Sequence, residues 1–350
     1  MTTMIATNEV PRVSVVIPCR NERGYIERCL DSIRASDYPE ERMEILVADG
    51  RSSDGTREIL VRYCTRHPSV VLLDNPQGTT PAGLNTAISA ATGQIVIRMD
   101  AHVLYPPDYV RRLVAGLQES GADNVGGVLE TVAGEDTPVA QAIALAMSHR
   151  FGVGNSHHRV GTSQQMEVDT VPFGCFRREV FERVGLFDEE LVRNQDDEFN
   201  FRLITRGGRV VLLPDVSCRY FSRRTLGQLS RMYYQYGYFK PLVARKVGRV
   251  MTVRQLVPAM FVLALTGAAW LSLWLPSARL GLTTLLGTYG SAVLLCGAAA
   301  LPRHGWRCAA ALTAVFPLLH MSYGVGFLLG IKDHVLVPTA PRRSALGLSR

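Results

Sequence analysis

Toward its carboxyl end this 350-residue chain contains three long apolar runs: residues 256–275 and 280–301 hold no charged side chain, and residues 308–331 hold no Asp, Glu, Lys or Arg and one imidazole, His320. Each run reaches the roughly 20 residues that a helix needs to cross the hydrocarbon core of a bilayer. Buried helices of soluble domains are seldom so long and so evenly apolar. The first two runs therefore predict transmembrane helices, and the third predicts a segment that spans, tilts or re-enters. Gly324, Gly326 and Gly330 weaken helix propensity in the third run. Trp270 and Trp274, near the end of the first, fit an interfacial belt better than a sugar platform.

The charge is split in the same direction. From residue 216 onward sixteen Lys/Arg face one acid, Asp333, a balance of +15, so within a total of +7 residues 1–215 carry −8. An acidic first part does not suit a polyphosphate backbone, which excludes nucleic acid as a partner and leaves carboxylates for metal or acid–base chemistry. Residues 216–254 combine nine Lys/Arg with Phe221, Tyr233, Tyr234, Tyr236, Tyr238 and Phe239, without one acid. That mixture matches amphipathic helices on an anionic membrane surface, or else a solvated basic face packed on the first domain. The cations before residue 256 are expected on the cytoplasmic side, 276–279 outside, and Arg303 and Arg307 inside. Three full spans would place Lys332, Arg342 and Arg343 outside, against that rule. Residues 1–12 contain an acid, a proline and no apolar stretch, so they are not read as a signal peptide. Seven scattered cysteines without a CxxC suggest buried thiols in a reducing compartment.

Residues 13–119 alternate short β-branched runs with helical stretches: strands at 13–18, 43–49, 70–75 and 94–100, helices at 22–35, 55–64, 81–91 and 107–119. Four successive β-α units predict a Rossmann-like α/β fold with a largely parallel sheet and ligands at the carboxyl ends of its strands. A strand at 124–131, a helix at 138–150, a Gly/Ser/His-rich loop or lid at 152–162, strand-like character at 171–178 and a helix at 195–206 follow.

Three constellations carry chemistry. Asp49 closes the second strand, and Asp54 stands where it can cap the following helix; alone this is a turn with a cap, and in company it is an acceptor for a base or ribose. Asp100-Ala101-His102 closes the fourth strand, and alternation along an extended chain would put Asp100 and His102 on one side, suited to Mn2+ or Mg2+ with diphosphate oxygens. Gln195-Asp196-Asp197-Glu198 opens a helix: either simple N-terminal acidity favoured by the dipole, or clustered carboxylates of which one serves as general base.

Taken in order, Val13-Ser14-Val15-Val16-Ile17-Pro18 with Asn21-Glu22, Asp49 with Ser53-Asp54-Gly55-Thr56, Gly83-Leu84-Asn85, Asp100-Ala101-His102, Phe173-Gly174-Cys175 with Val184-Gly185-Leu186-Phe187-Asp188-Glu189, and Gln195-Asp196 resemble family 2 glycosyltransferases of the GT-A fold. The resemblance covers residues 13–215 and is nearest to the membrane-associated succinoglycan-biosynthesis glucosyltransferase type. It implies that Pro18 and Glu22 line a nucleotide pocket, Asp49 meets uracil, Asp100 acts on the metal diphosphate with His102 in place of a second Asp, and Asp196 is the base. Asp197 and Glu198 would support it. The family's processive synthases carry Gln-x-x-Arg-Trp, and here Gln228 and Arg231 are followed by Met232, which favours single-sugar transfer.

The expected organisation is a tail (1–12), a GT-A domain (13–215), basic aromatic interface helices (216–254), two or three transmembrane helices (255–331) and a basic tail (332–350). The expected function is inverting transfer of one sugar, from UDP-glucose or a similar nucleotide hexose, to a lipid-linked polyprenyl diphosphate saccharide at the cell (inner) membrane. The protein would be multi-pass, its catalytic domain cytoplasmic and in contact with membrane lipids. A processive synthase and a non-catalytic nucleotide-binding membrane component are the alternatives.

Overall fold

The computed structural model describes residues 10–250, 252–337 and 341–346. Most of the tail expected at 1–12 and the end of the tail expected at 332–350 lie outside the described residues. The elements in chain order are β1 Val13–Cys19, α1 Ile26–Arg34, β2 Met43–Asp49, α2 Thr56–Arg66, β3 Val70–Asp74, α3 Thr80–Ala90, β4 Ile95–Arg98, β5 Val103–Leu104, α4 Tyr109–Ser120 and β6 Asn124–Val132. Then come α5 Pro138–Ser148, the single turns α6 Arg150–Val153 and α7 His157–Val160, β7 Met166–Glu167, β8 Cys175–Arg177, α8 Glu179–Val184, α9 Gln195–Thr205 and β9 Val210–Phe221. Three long helices follow, α10 Leu226–Val247, α11 Val257–Leu271 and α12 Pro276–Ile331, and after them a π-helical turn at Lys332–Leu336 and a short helix, α13 Arg343–Leu346.

The chain forms two compact units, one of Met1–Gly127, Ser163–Glu189 and Arg202–Cys218, the other of Val128–Thr162, Glu190–Phe201 and Arg219–Arg350. In the first, β1 is buried along nearly its whole length because helices cover both faces, which is why Val13, Val15, Val16 and Ile17 form a run without alternation. The sheet has nine strands in the order β3-β2-β1-β4-β8-β6-β9-β5, with β7 on β9. It is mixed and not largely parallel. β1, β2, β3 and β4 are parallel neighbours, whereas β8 pairs antiparallel with β4 and β6, and β7 with β9. The regular β-α rhythm ends after α4, and strands laid down without a crossover helix can run antiparallel.

The boundary expected between residues 215 and 216 falls inside β9. Val216, Cys218 and Tyr220 are buried while Ser217 and Arg219 are exposed, the alternation of a half-buried strand. The interface helices expected at 216–254 reduce to one long helix, α10, whose Tyr233, Tyr238 and Phe239 are buried inside the second unit. Tyr238 and Phe239 fill a core with Leu191, Leu242, Val243 and Ala345, so these two rings are unavailable to a membrane surface.

Two stretches of the second unit are long and apolar enough to cross a membrane, Val253–Leu271 and Pro276–Leu336. The second includes a non-helical residue, Gly305 (φ 75°, ψ 165°), which separates the expected runs 280–301 and 308–331. Leu280 and Leu295 are each 70% exposed, which leaves an apolar face without protein cover. The glycines of the third run have a packing role: a Cβ on Gly326 or Gly330 would strike the Tyr234 or Tyr238 carbonyl of α10, and one on Gly324 the Pro258 carbonyl of α11. Small residues allow such backbone approach between apolar helices.

The loop or lid expected at 152–162 is partly helical. Phe151 packs edge-on against Phe316 (5.1 Å between centroids), and its carbonyl lies 2.9 Å from His320 Nε2. No disulfide forms among the seven cysteines, and burial pushes the thiols of Cys19, Cys29 and Cys175 up.

Candidate active site

The parallel register sets Cys19 beside Asp49 and Asp49 beside Asp74, with Val16 beside Arg98. Pro18, Asp49 and the residues after Arg98 thus share the carboxyl edge of the sheet in the first unit, where backbone ends and helix starts leave room for a ligand. Asp49 is 1% exposed. Its Oδ2 accepts from Arg57 Nη1 (3.2 Å) and the Ser52 amide (3.4 Å), while its Oδ1 is buried without a hydrogen-bond partner. Arg57 also holds Asp74 at 2.7 Å, and these bonds push the guanidinium's pKa up. A buried carboxylate oxygen with an empty acceptor site is costly, and a ligand N–H or O–H relieves it.

The turn after β1 is locked to the turn after β2. The Asn21 amide donates to Ser52 Oγ (2.9 Å), Asn21 Oδ1 accepts from the Ser53 amide (2.9 Å), and the Glu22 amide donates to Thr56 Oγ1 (2.8 Å). Asp54 accepts from the Thr56 amide and hydroxyl and from the Arg23 amide, so it serves the start of α2. Burial pushes its carboxyl up, but these bonds outweigh that and leave it below its ordinary range.

At the end of β4 the chain leaves the sheet at Arg98, two residues earlier than expected, and residues 101–102 form a turn. Strand alternation therefore does not align Asp100 with His102; the turn does. His102 Nε2 lies 4.0 Å from Asp100 Oδ2, and His102 Nδ1 lies 2.9 Å from Glu22 Oε1. An ionised Glu22 accepts from Nδ1–H, and that bond turns Nε2 toward Asp100. A divalent cation of the Mn2+ or Mg2+ class fits this donor set, because a carboxylate that fixes the far nitrogen of a ligating imidazole is the usual outer support of such sites. Among the described residues no group of three or more His, Cys, Asp or Glu is placed to hold a metal ion by itself. Ligand oxygens or water would have to supply the remaining positions.

In the second unit, Asn194 (φ 62°) precedes α9, its side-chain amide donates to the Tyr236 carbonyl (2.9 Å), and its own carbonyl caps Glu198 N. Asp196 is half-buried and Glu198 is buried. Asp197 forms an ion pair with Lys240 of α10, so a cation balances the acidic turn that the sequence presents as three carboxylates alone. Gln228 is occupied in capping α10: its amide donates to Thr225 Oγ1 and its Oε1 accepts from the Arg224 amide. Arg231 is exposed.

Two further contributors stand in the motifs of the sequence without an assigned role. Arg98, 5% exposed, donates to Asp100 Oδ1 (3.1 Å) and lies over the Phe173 ring. A cation ending the run Ile95-Val96-Ile97 was the available signal. Asn85 of α3 exchanges hydrogen bonds with the Phe187 amide and carbonyl (2.9 Å each) and reaches Glu189 (2.8 Å), joining motif pieces about a hundred residues apart. Non-glycine residues at positive φ among the described residues are Asn21, Arg51, Phe173 and Asn194, and each adjoins a site residue named above. Such strained backbone persists where surrounding contacts enforce it, commonly at functional sites.

The family model described as Glycosyl transferase family 2 matches residues 14–185. Succinoglycan biosynthesis protein ExoA of Rhizobium meliloti (strain 1021) is 36% identical over 246 residues, covering 70% of this chain and 73% of that protein. The dolichyl N-acetyl-alpha-D-glucosaminyl phosphate 3-beta-D-2,3-diacetamido-2,3-dideoxy-beta-D-glucuronosyltransferase of Methanococcus voltae is 26% identical, covering 67% of this chain and 74% of that one. Among solved structures, the mannosyltransferase PcManGT of Pyrobaculum calidifontis, in complex with GDP-Man and Mn2+, matches with a TM-score of 0.59 at 24% identity, over 92% of this chain and 88% of that chain. That likeness is one of fold.

Proposed function

The chain belongs to glycosyltransferase family 2 and has the GT-A fold, and on that premise we propose that it moves one hexose from a nucleoside diphosphate sugar, of UDP-glucose type, to a lipid-linked saccharide. The relative named for succinoglycan biosynthesis supports a place in exopolysaccharide or cell-surface glycan synthesis. The observation that carries the reading is Asp49 Oδ1, buried and without a partner on the same carboxyl edge of the sheet as the Asp100–His102–Glu22 group.

In this reading Asp49 accepts from the base of the donor, and Pro18 and Glu22 line the nucleotide pocket. Asp100 and His102 would hold a divalent cation, which when bound supplies charge neutralisation for the departing diphosphate. Arg98 and Glu22 orient those two side chains. Asp196 takes the proton of an acceptor hydroxyl as its oxygen forms a bond to the anomeric carbon; the bond from that carbon to the phosphate oxygen breaks, and its electrons leave with the nucleoside diphosphate. One displacement inverts the configuration. The apolar stretches Val253–Leu271 and Pro276–Leu336 support association with a membrane, and in this reading the protein is multi-pass with its catalytic part on the cytoplasmic side.

Asp196→Asn in full-length protein should lower transfer from a labelled nucleotide sugar to a lipid extract by about 10²–10⁴-fold with donor binding retained. Near wild-type transfer by the folded variant would remove Asp196 from the mechanism. Single-sugar transfer is favoured over processive synthesis because Gln228 is engaged in a helix cap and Met232 stands where processive relatives place tryptophan.

A further inference from the structure

Asp333 is the sole acid from residue 216 onward, and it lies buried at the end of the apolar stretch Pro276–Leu336. A carboxylate in such surroundings is costly and persists where it has a partner and a task. Arg342 forks onto it, Nε to Oδ2 and Nη2 to Oδ1 (3.0 Å), and the Tyr238 hydroxyl of α10 donates to Oδ2 (3.0 Å). The same hydroxyl accepts from the Arg342 amide (3.1 Å), so Arg342 is held by its side chain to Asp333 and by its backbone to α10. Three residues later, Ala345 of α13 is fully buried against Leu191, Tyr238, Phe239, Leu242 and Val243.

Gln235 of α10, fully buried, donates from Nε2 to the Ala345 carbonyl (3.1 Å) and accepts at Oε1 from Arg193 Nε (3.0 Å). Its side chain thereby joins α13 to the chain just before α9. The Tyr236 carbonyl next to it accepts from the Asn194 side chain (2.9 Å), and Asn194 holds a φ of 62° that surrounding contacts must enforce. Two residues on stands Asp196, whose neighbour Asp197 is ion-paired with Lys240 of the same α10. Arg193, Asn194 and Asp197 thus fasten the start of α9 to α10, while Arg342 and Ala345 fasten α13 to it. Gln235 is common to both fastenings, and a buried amide bonded at both its oxygen and its nitrogen holds a defined geometry.

We infer that Gln235 is a positioning residue for the transfer reaction, and that α13, latched by the Arg342–Asp333 pair, seats it so that the α9 turn presents Asp196 to the acceptor hydroxyl. The inference rests on the role of Asp196 proposed above. A general base must stand within hydrogen-bond reach of the hydroxyl it serves, and a shift of about 1 Å costs up to about a hundredfold in rate. The donor pocket has no share in the latch: Pro18, Glu22, Asp49 and Asp100 belong to the first unit, whereas Arg193, Gln235, Asp333, Arg342 and Ala345 belong to the second. Loosening the latch should therefore slow transfer and leave donor binding intact.

The test measures transfer from labelled UDP-glucose to a lipid extract by full-length protein in nanodiscs, with UDP affinity in the presence of Mn2+ read on the same preparations. Gln235→Met, which keeps the size and removes both bonds, and Arg342→Gln, at a partly exposed side chain, should each lower kcat about ten- to a hundredfold while UDP affinity stays the same. Asp333→Asn combined with Arg342→Gln should be no slower than the slower of the two single variants, because the pair acts as one unit. Wild-type kcat in either Gln235→Met or Arg342→Gln overturns the inference. A fall in UDP affinity that matches the fall in kcat also overturns it, since that marks general loosening of the fold, and so do losses that multiply in the double variant. Asp196→Asn is measured beside them: if it retains transfer, the base assignment falls, and if it abolishes transfer while the Gln235 and Arg342 variants keep wild-type kcat, this inference alone falls.

Discussion

Asp49 combines near-complete burial with a carboxylate oxygen that no donor satisfies, an arrangement a free protein tolerates only at a cost. If that oxygen receives the donor's base, Asp49→Asn should weaken UDP binding about tenfold or more, because a hydrogen bond to a charged acceptor is worth roughly 1.5–3 kcal/mol. Titration calorimetry on the full chain reads this directly, and unchanged affinity would remove Asp49 from the pocket. Asp49, Asp100 and His102 were legible as residues, since carboxylates at the ends of apolar strands stand out. Their partners were not. Arg98, and the bond from Glu22 to His102, depend on turns that bring distant backbone together, and local sequence carries no record of that geometry. The Asp196-Asp197-Glu198 turn looks like mutual repulsion in sequence, and Lys240, more than forty residues away, changes its electrostatics.

At the scale of elements, α10 and α12 meet backbone to backbone. Gly326 and Gly330 face the Tyr234 and Tyr238 carbonyls, Gly237 faces the Tyr323 carbonyl, and Ser230 and Ser322 share a hydrogen bond of 2.8 Å. Gly326→Ala should destabilise the protein by about 1–3 kcal/mol, the usual cost of overpacking, and Gly290→Ala, on the same helix with nothing within 4 Å, should be neutral or slightly stabilising. Thermal unfolding in detergent compares the two, and equal midpoints would contradict the close packing. From sequence alone Gly324, Gly326 and Gly330 read as weak points of a helix. Which of them are contacts depends on the neighbouring helix, whose register is a tertiary property. The strand that continues to Phe221 was obscured for a related reason: Arg219 and the cations after it suggested a new region, while the alternation of Val216, Cys218 and Tyr220 already marked the buried face of a strand.

For the whole molecule, acid sensitivity follows from its hydrogen-bonded carboxylates. Burial pushes Glu44 up, yet bonds from Ser14 and Thr92 outweigh it and leave its pKa below the ordinary value. A carboxyl depressed in the folded state binds fewer protons there than when unfolded. Its contribution is present above the ordinary carboxylate pKa and is lost as pH falls through the folded value. The unfolding midpoint should therefore drop between about pH 5 and pH 3, and Glu44→Gln should make that drop smaller; an identical pH profile would exclude this role. By itself the sequence determined that the first 215 residues are acidic and the remainder basic, that β-α units open the chain, and that its end is apolar enough for a bilayer, because these are sums and periodicities along one dimension. Tertiary structure alone decided that the sheet is mixed, that the aromatic basic segment is a helix with one face buried, and that Glu22 meets His102, Arg98 meets Asp100 and Lys240 meets Asp197, because each depends on which backbone segments meet.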